Sequence, residues 1–319
     1  MVLPSSPLAL PRCEYPGSLD TDAAGLFQLP ENMPLVDFSS ARKYRSNEFK
    51  PVGIDRAEKF KLLEMARMVA KSFAEHEPMS RHVHPPGKEP DLIGGFHEDP
   101  FGKDRFGPWT KENILYWFIR MMVLTNSTDS GNAIILNADM LRLSLIITDN
   151  NSNPIGGAFN VTLSPEEVDF QKTYAFLDAV LIYMNPIMNK ILSQEHEAVA
   201  ALKEKYPSFG RAYNKGNVGM HFMIARSAKL PSEHTFELVA ASAERFQHRG
   251  YEYMLVSASN QWTGAACEVL GGTPVHFSPF RKTKAVVEKR YAREHEPYSI
   301  DGYLSDKDSG MMFYAIKLQ

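Results

Sequence analysis

The sequence has few cysteines, no long hydrophobic run and no surplus of positive charge. Its two cysteines, Cys13 and Cys267, cannot build a disulfide framework across 319 residues, which fits a reducing compartment. No apolar run reaches the ~18 residues that a membrane span needs, and the N-terminal residues lack the basic segment that opens a secretory signal. The net charge of -3 lacks the basic excess that is typical of a nucleic-acid-binding protein. These absences predict a cytoplasmic protein whose partners include neither a membrane nor a nucleic acid.

The composition that is present is that of an ordinary globular protein, with 44% hydrophobic and 23% charged residues. Residues 1–46 are rich in proline and serine and follow neither a helical nor a strand period, so they predict an irregular N-terminal extension. The periodic apolar segments all lie in residues 47–319, which predicts one main domain there.

Segment 218–280 alternates between strand-like and helix-like patterns. Its first helix candidate begins at Ser232, a favourable N-cap, and stops at Gly250, a favourable residue just past a helix end. The order strand, helix, strand, helix, strand predicts an α/β unit with at least one parallel strand pair. The predicted strands are 218–227, 251–257, 273–280 and, at the end of the chain, 310–318.

The upstream half of the main domain shows further periodic segments. Residues 56–74 and 110–126 have the spacing of amphipathic helices. The apolar segment 176–192 is interrupted by Pro186, and a separate charged helix is predicted at 195–205. The remaining predictions are a short strand at 48–54 and a hairpin over 143–163.

The second helix of segment 218–280 carries the most specific pattern in the chain. Its spacing, N-x-x-[small]-x-x-[small]-x-E-x-L-G, resembles the C-terminal signature of the GCN5-related N-acetyltransferase family. Residues 66–83 are similar to the first helix of that family, and residues 143–163 resemble its central hairpin. The residues that carry the signature are Asn260, Thr263, Ala266, Cys267, Glu268, Leu270 and Gly271.

The resemblance implies an α/β fold with a mixed, mostly antiparallel sheet and helices on both faces. It implies an N-acyltransferase that takes acetyl-CoA or another acyl-CoA as co-substrate, without a metal. The acceptor would be a small amine or an amino-acid-like molecule. By comparison with a minimal member of the family, residues 164–215 form a helical insertion.

The family binds the CoA pyrophosphate with a [RQ]-x-x-G-x-[GA] loop, which aligns here with residues 230–235 (LPSEHT). Both glycines are missing, Pro231 removes a hydrogen-bond donor, and Glu233 adds a negative charge near the phosphates. These departures favour an alternative. In it, the protein keeps the fold, has lost CoA use, and serves as a ligand- or partner-binding module or catalyses a different reaction in the same cleft.

The resemblance still assigns a set of residues to CoA. A main-chain N–H near Ile224 or Ala225, on the strand predicted at 218–227, would polarise the thioester carbonyl, and donors at the start of the next helix would face the phosphates. The assigned residues are Ile224, Ala225, Arg226, Ser232, His234, Thr235 and Asn260.

The same resemblance identifies two candidate catalytic residues. His221 lies on the strand where the family often places a glutamate base, and an imidazole can accept a proton near neutral pH. Cys267 stands where many members have the tyrosine that protonates the leaving thiolate, and it could act as an acid or as a nucleophile. The alternatives are a hydrogen-bonded core histidine and a small packing residue.

A histidine-rich loop at 75–106 offers a third hypothesis, a metal site. His76, His82, His84 and His97 lie there among several carboxylates. The loop also contains five prolines and lacks a helical H-x-x-x-H frame, so a substrate-facing or surface loop is the simpler interpretation. We therefore predict no metal.

Overall fold

A mixed, mostly antiparallel sheet forms the centre of the structure. The computed structural model describes residues 21–22, 25–45, 49–76, 110–126, 134–163, 177–231, 234–279 and 310–319. The strands in these residues are β1 (Val52–Gly53), β2 (Leu124–Asn126), β3 (Ile134–Leu136), β4 (Leu145–Thr148), β5 (Pro154–Thr162), β6 (Val218–Arg226), β7 (Tyr253–Ala258), β8 (Thr273–Pro279) and β9 (Gly310–Lys317). Seven of them form one sheet in the order β1-β4-β5-β6-β7-β9-β8, and β2 pairs with β3 separately. Within the described residues, β6 and β7 are the one parallel pair.

Helices cover both faces of this sheet, which confirms the predicted α/β fold class. The helices in the described ranges are α1 (Phe38–Ala41), α2 (Lys61–His76), α3 (Lys111–Val123), α4 (Ala138–Leu143), α5 (Leu177–Lys205), α6 (Pro207–Asn214), α7 (His234–His248) and α8 (Gln261–Val269). Buried residues of α2, α3, α5 and α6 form one hydrophobic cluster with the sheet. Those of α7 and α8 form another on the opposite face. None of the helices described here combines the length and apolarity needed to cross a bilayer.

The elements of segment 218–280 lie where the sequence predicts them, but several boundaries upstream differ. The helix predicted over 56–74 begins at Lys61, after a short 3-10 turn at Arg56–Glu58. The helix predicted over 110–126 ends at Val123, because Leu124–Asn126 pair with Ile134–Leu136 as a short antiparallel ladder. The strand predicted at 48–54 is reduced to two residues. Helix α5 is continuous through Pro186, where the sequence predicted an interruption.

The N-terminal extension packs along β8 and β9. The N–H of Phe27 donates to the carbonyl of Val275 at 3.0 Å, and the N–H of Val36 donates to the carbonyl of Lys317 at 2.8 Å. Part of the extension therefore contacts the main domain through main-chain hydrogen bonds, while the domain boundary at residue 46 stays a prediction.

Strand β6 lies close to α7 because Gly219 has no side chain. A Cβ on Gly219 would lie 2.2 Å from a ring carbon of Phe246, which is 1% exposed and contacts Tyr251 edge-on. We expect Gly219→Ala to lower the free energy of unfolding by about 1–3 kcal/mol, because overpacking forces a buried ring to move. Urea denaturation measures this loss. The matched control is Gly210→Ala, whose added methyl meets nothing closer than 3.9 Å, and equal losses in both variants would contradict the explanation.

Candidate functional site

Strands β6 and β7 separate partway along their length and open a cleft. Their pairing runs from Val218 opposite Tyr253 to His221 opposite Val256 and ends there, whereas β6 continues to Arg226. The main-chain groups of β6 beyond His221 are therefore not paired with β7.

A β-bulge marks the point where the strands separate. On β5, Asn160 is paired with His221 and Phe159 with Met223, so Phe222 is the extra residue. Phe222 and Met223 both pack against the hydrophobic cluster of α2 and α3. The bulge therefore reverses the alternation of β6 and turns its last residues away from β7.

The main-chain groups of β6 beyond the bulge alternate between the sheet and the cleft. The N–H of Ser227 donates to the carbonyl of Ile155 on β5 at 2.8 Å. In an antiparallel ladder, the next residue along points its N–H and C=O the other way. Ala225 therefore faces β5, whereas Ile224 and Arg226 face the open side. Of the two positions predicted to polarise a carbonyl, Ile224 is the one whose N–H points into the cleft.

The loop after β6 is shaped by a buried leucine and not by glycines. Leu230 is 0% exposed and packs in a cluster with Ile147, Ile155 and Leu238. The guanidinium of Arg226 donates through Nη1 to the carbonyl of Leu230 at 2.6 Å. Arg226, predicted to bind CoA, thus also stabilises this loop.

Helix α7 begins beside this loop. His234 is its first residue and is 3% exposed, with its ring edge-on to Phe49 at 5.4 Å between centroids. Thr235 follows and is half-buried. Ser232 and Glu233 lie outside the described residues, so the predicted role of Ser232 and the predicted repulsion by Glu233 stay predictions.

Helix α8 begins at the end of β7, beside the same end of the sheet. Asn260 is its N-cap, with Oδ1 accepting from the N–H groups of Trp262 at 3.1 Å and Thr263 at 3.0 Å. No residue within the described ranges accepts from Asn260 Nδ2. The cap and the predicted bond to a CoA arm are compatible, because they use different atoms.

His221 belongs to a buried polar network. Its Nδ1 is 2.9 Å from Asn160 Oδ1. Asn160 Nδ2 donates to the carbonyl of Leu143 at 3.1 Å and to Ser242 Oγ at 2.9 Å, so the amide oxygen is the acceptor and His221 Nδ1 carries the proton. His221 is 1% exposed, and Asn160 and Ser242 are 0% exposed. The network therefore holds the imidazole in one tautomer.

This tautomer leaves Nε2 of His221 with a lone pair. No hydrogen-bond partner for Nε2 is found in the described part of the chain. Burial lowers the pKa of His221 to about 4, so the ring is neutral at pH 7. That is the protonation state a general base needs. The position also fits the alternative of a core histidine, since the ring lies between the sheet and Ser242 of α7, and the catalytic role stays a prediction.

Cys267 lies on the inner face of α8. It is 0% exposed within the cluster that α7, α8 and the sheet form. A Cβ added to Gly272 would lie 3.3 Å from the Cβ of Cys267, so little free space surrounds the cysteine. This position suits the packing role that the sequence left open, and the acid or nucleophile role stays a prediction.

Three polar residues near the cleft were not singled out from the sequence. Asn160 and Ser242 complete the network around His221. Ser72 of α2 donates through its hydroxyl to the main-chain carbonyl of Arg226 at 3.0 Å, on the open side of β6. Asn160 could have been noticed in the sequence, because it is a polar residue between apolar residues of strand β5.

No cluster of potential metal ligands occurs among the residues described. The histidine-rich loop that motivated the metal hypothesis lies almost entirely outside them, at 77–109. The hypothesis is therefore untested.

Solved structures with similar folds provide the comparison with known proteins. Arylalkylamine N-acetyltransferase 7 from the yellow fever mosquito Aedes aegypti is 12% identical, with a TM-score of 0.52 over 85% of this chain and 88% of that one. Arylalkylamine N-acetyltransferase 2 from Aedes aegypti is 12% identical, with a TM-score of 0.46 over 86% and 100%. The polyamine N-acetyltransferase of Drosophila melanogaster is 10% identical, with a TM-score of 0.38 over 85% and 100%.

The sequence on its own matches neither a protein-family model nor a curated protein. At 12% identity, the first of these structures shows the fold alone, and the two with lower TM-scores add no argument. The similarity to that structure is consistent with the strand order, the β-bulge on β6 and the separation of β6 from β7 in this chain. The chain therefore has the fold of the GCN5-related N-acetyltransferases, as the signature at 260–271 predicts.

Proposed function

We propose that the protein transfers an acyl group from an acyl-CoA to a small amine. The observation that carries the proposal is the separation of β6 from β7 after His221, with the N–H of Ile224 facing the opening. A strand that leaves its neighbour exposes main-chain donors, and these can bind the amides and the thioester of an extended ligand. The helices α7 and α8 both begin at this end of the sheet, and a helix N-terminus favours negative charge.

In this proposal acyl-CoA supplies the activated thioester, and the chain supplies orientation and proton transfer. Ile224 N–H donates to the carbonyl oxygen as negative charge develops on it. Asn160 and Ser242 hold His221 so that Nε2 can accept the proton that the amine loses. The new carbon–nitrogen bond replaces the carbon–sulfur bond, and the leaving thiolate takes a proton from solvent or from Cys267.

The acceptor class is proposed by analogy. The mosquito structure with the TM-score above 0.5 is named an arylalkylamine N-acetyltransferase, so amines are the class of acceptor to test first.

Calorimetric titration with acetyl-CoA and longer acyl-CoAs tests the proposal. We expect saturable binding, and we expect Asn260→Asp to weaken it about tenfold. Aspartate is as good an N-cap as asparagine, so α8 is retained, while the Nδ2 donor is replaced by a carboxylate that repels an anionic ligand.

The control for this substitution is Asn214→Asp, at the exposed last residue of α6, near the opposite end of β6. It makes the same change in charge away from the cleft and is expected to leave the dissociation constant unchanged. Absence of binding to every acyl-CoA would refute the proposal, and equal weakening by both variants would remove Asn260 from the site.

The second candidate is a protein with this fold that binds a ligand or partner without using CoA. The burial of Leu230 favours it, because a loop anchored by a leucine side chain lacks the close backbone approach that glycines permit. If acyl-CoA does not bind, this candidate is the one that the loop geometry supports.

A further inference from the structure

A second pocket lies at the C-terminal end of α7, away from the cleft. It has a volume of about 510 Å³, within the range of small-molecule sites. The 15 residues of α7 separate it from the cleft end by roughly 22 Å at the rise of an α-helix. Its lining residues are Ile54, Arg56, Ala138, Asp139, Leu141, Arg142, Arg245 and Arg249.

Arg245 is held in a fixed position on one wall of this pocket. Its Nε and Nη2 both donate to the main-chain carbonyl of Arg142. Its Nη1 lies against β1, where a Cβ on Gly53 would come within 2.4 Å of it. A guanidinium held by its Nε side keeps donors on Nη1 and Nη2 for a further acceptor.

Arg142 is fixed on the neighbouring wall. Its Nη2 donates to Asp139 Oδ1 at 2.8 Å and to the hydroxyl of Tyr251 at 2.7 Å. Asp139 also accepts from the N–H of Thr162 at 2.6 Å through Oδ2. Asp139, the carboxylate found among the described residues of the pocket wall, is therefore already engaged by two donors.

Among the described residues that line the pocket, four arginines and one aspartate give an excess of three positive charges. No carboxylate in the described part of the chain forms an ion pair with Arg56, Arg245 or Arg249. The pKa of Arg245 is lowered by burial and then by the charges of Arg249 and Arg142. These cations repel one another, and a bound anion would relieve that repulsion.

We propose that this pocket binds a phosphate-bearing small molecule through Arg56, Arg245 and Arg249. A phosphate monoester carries close to two negative charges at neutral pH and several acceptor oxygens, and the guanidinium fork matches its geometry. The apolar side chains of Ile54 and Leu141 line the same space and can contact the organic part of the ligand.

Titration with inorganic phosphate at low ionic strength tests the proposal. We expect saturable one-to-one binding that weakens as salt is added. Arg249→Gln and Arg56→Gln should each weaken it about tenfold, because each removes charge-assisted hydrogen bonds. Both side chains are exposed and form no hydrogen bond with a described residue, so the variants should fold, and circular dichroism verifies this.

The matched control is Arg211→Gln, an exposed arginine on α6. It lowers the net charge by the same amount outside the pocket and should leave the affinity for phosphate unchanged. The proposal is overturned if phosphate does not bind saturably, or if the pocket variants bind it as tightly as Arg211→Gln does.

Discussion

Replacing Asn160 by leucine is expected to lower the free energy of unfolding by about 3–5 kcal/mol. The substitution removes three hydrogen bonds, and their partners, His221, Ser242 and the carbonyl of Leu143, are buried. Each buried polar group that loses its partner costs roughly 1–3 kcal/mol. Leucine has the same number and branching of side-chain heavy atoms as asparagine, so the substitution leaves no cavity, and the loss measures the polar network together with the overpacking by two larger methyl groups. Urea denaturation followed by circular dichroism gives the value.

The matched control is Asn214→Leu, at the exposed last residue of α6. A surface substitution of this kind usually changes stability by less than about 0.5 kcal/mol. A loss below about 1 kcal/mol in Asn160→Leu would mean that water or another group satisfies the partners, and the network would not hold His221 in place.

The second large effect is a loss of stability as the pH falls from about 6.5 to about 4. The pKa of His221 is lowered to about 4 in the folded state by burial, and that of an unfolded histidine is about 6.5. Between these values the unfolded chain binds a proton that the folded chain does not, so acid favours unfolding. The full contribution of His221 is present above pH 6.5, and up to about 3 kcal/mol is lost by pH 4.

His221→Gln isolates this contribution, because glutamine does not titrate but can still donate to Asn160 Oδ1. The stability of the variant is expected to fall less steeply than that of the wild type over this range. His248→Gln, at an exposed position on α7, is expected to follow the wild-type profile. Parallel profiles for all three proteins would show that burial does not keep His221 neutral.

The two predictions also bear on the proposed reaction. If His221 Nε2 accepts the proton of the amine, the imidazole must be unprotonated before the reaction. With a pKa of about 4, His221 is already unprotonated at neutral pH and meets this condition. The fall of kcat/KM at acidic pH would then occur at a lower pH than for a histidine with an ordinary pKa. Otherwise the fall would reflect protonation of the amine substrate.

The order of elements in segment 218–280 was predictable because each element has its own apolar period and a stop residue. The continuity of α5 through Pro186 was not predictable, because a proline within a helical pattern usually ends it. Helix α3 ends early because residues 124–126 gain partners in β3, an interaction that local sequence does not encode.

The candidate site was predictable to the level of strands and helices. The bulge at Phe222 was not, since an extra residue leaves the apolar composition of β6 unchanged. The burial of Leu230 was also not predicted. The family motif at this position concerns glycines and main-chain donors, and it gives no information about a leucine side chain packed beneath the loop.

The docking of the N-terminal extension has a consequence for solubility. Strand β8 is an outer strand of the seven-stranded sheet, and such a strand offers unpaired main-chain groups to other chains. Here Phe27 N–H donates to Val275, and Phe277 N–H donates to the carbonyl of Gly25 at 2.8 Å. Residues 25–27 thus cap part of the strand that would otherwise promote edge-to-edge aggregation, and removing them would leave that edge open to a second molecule.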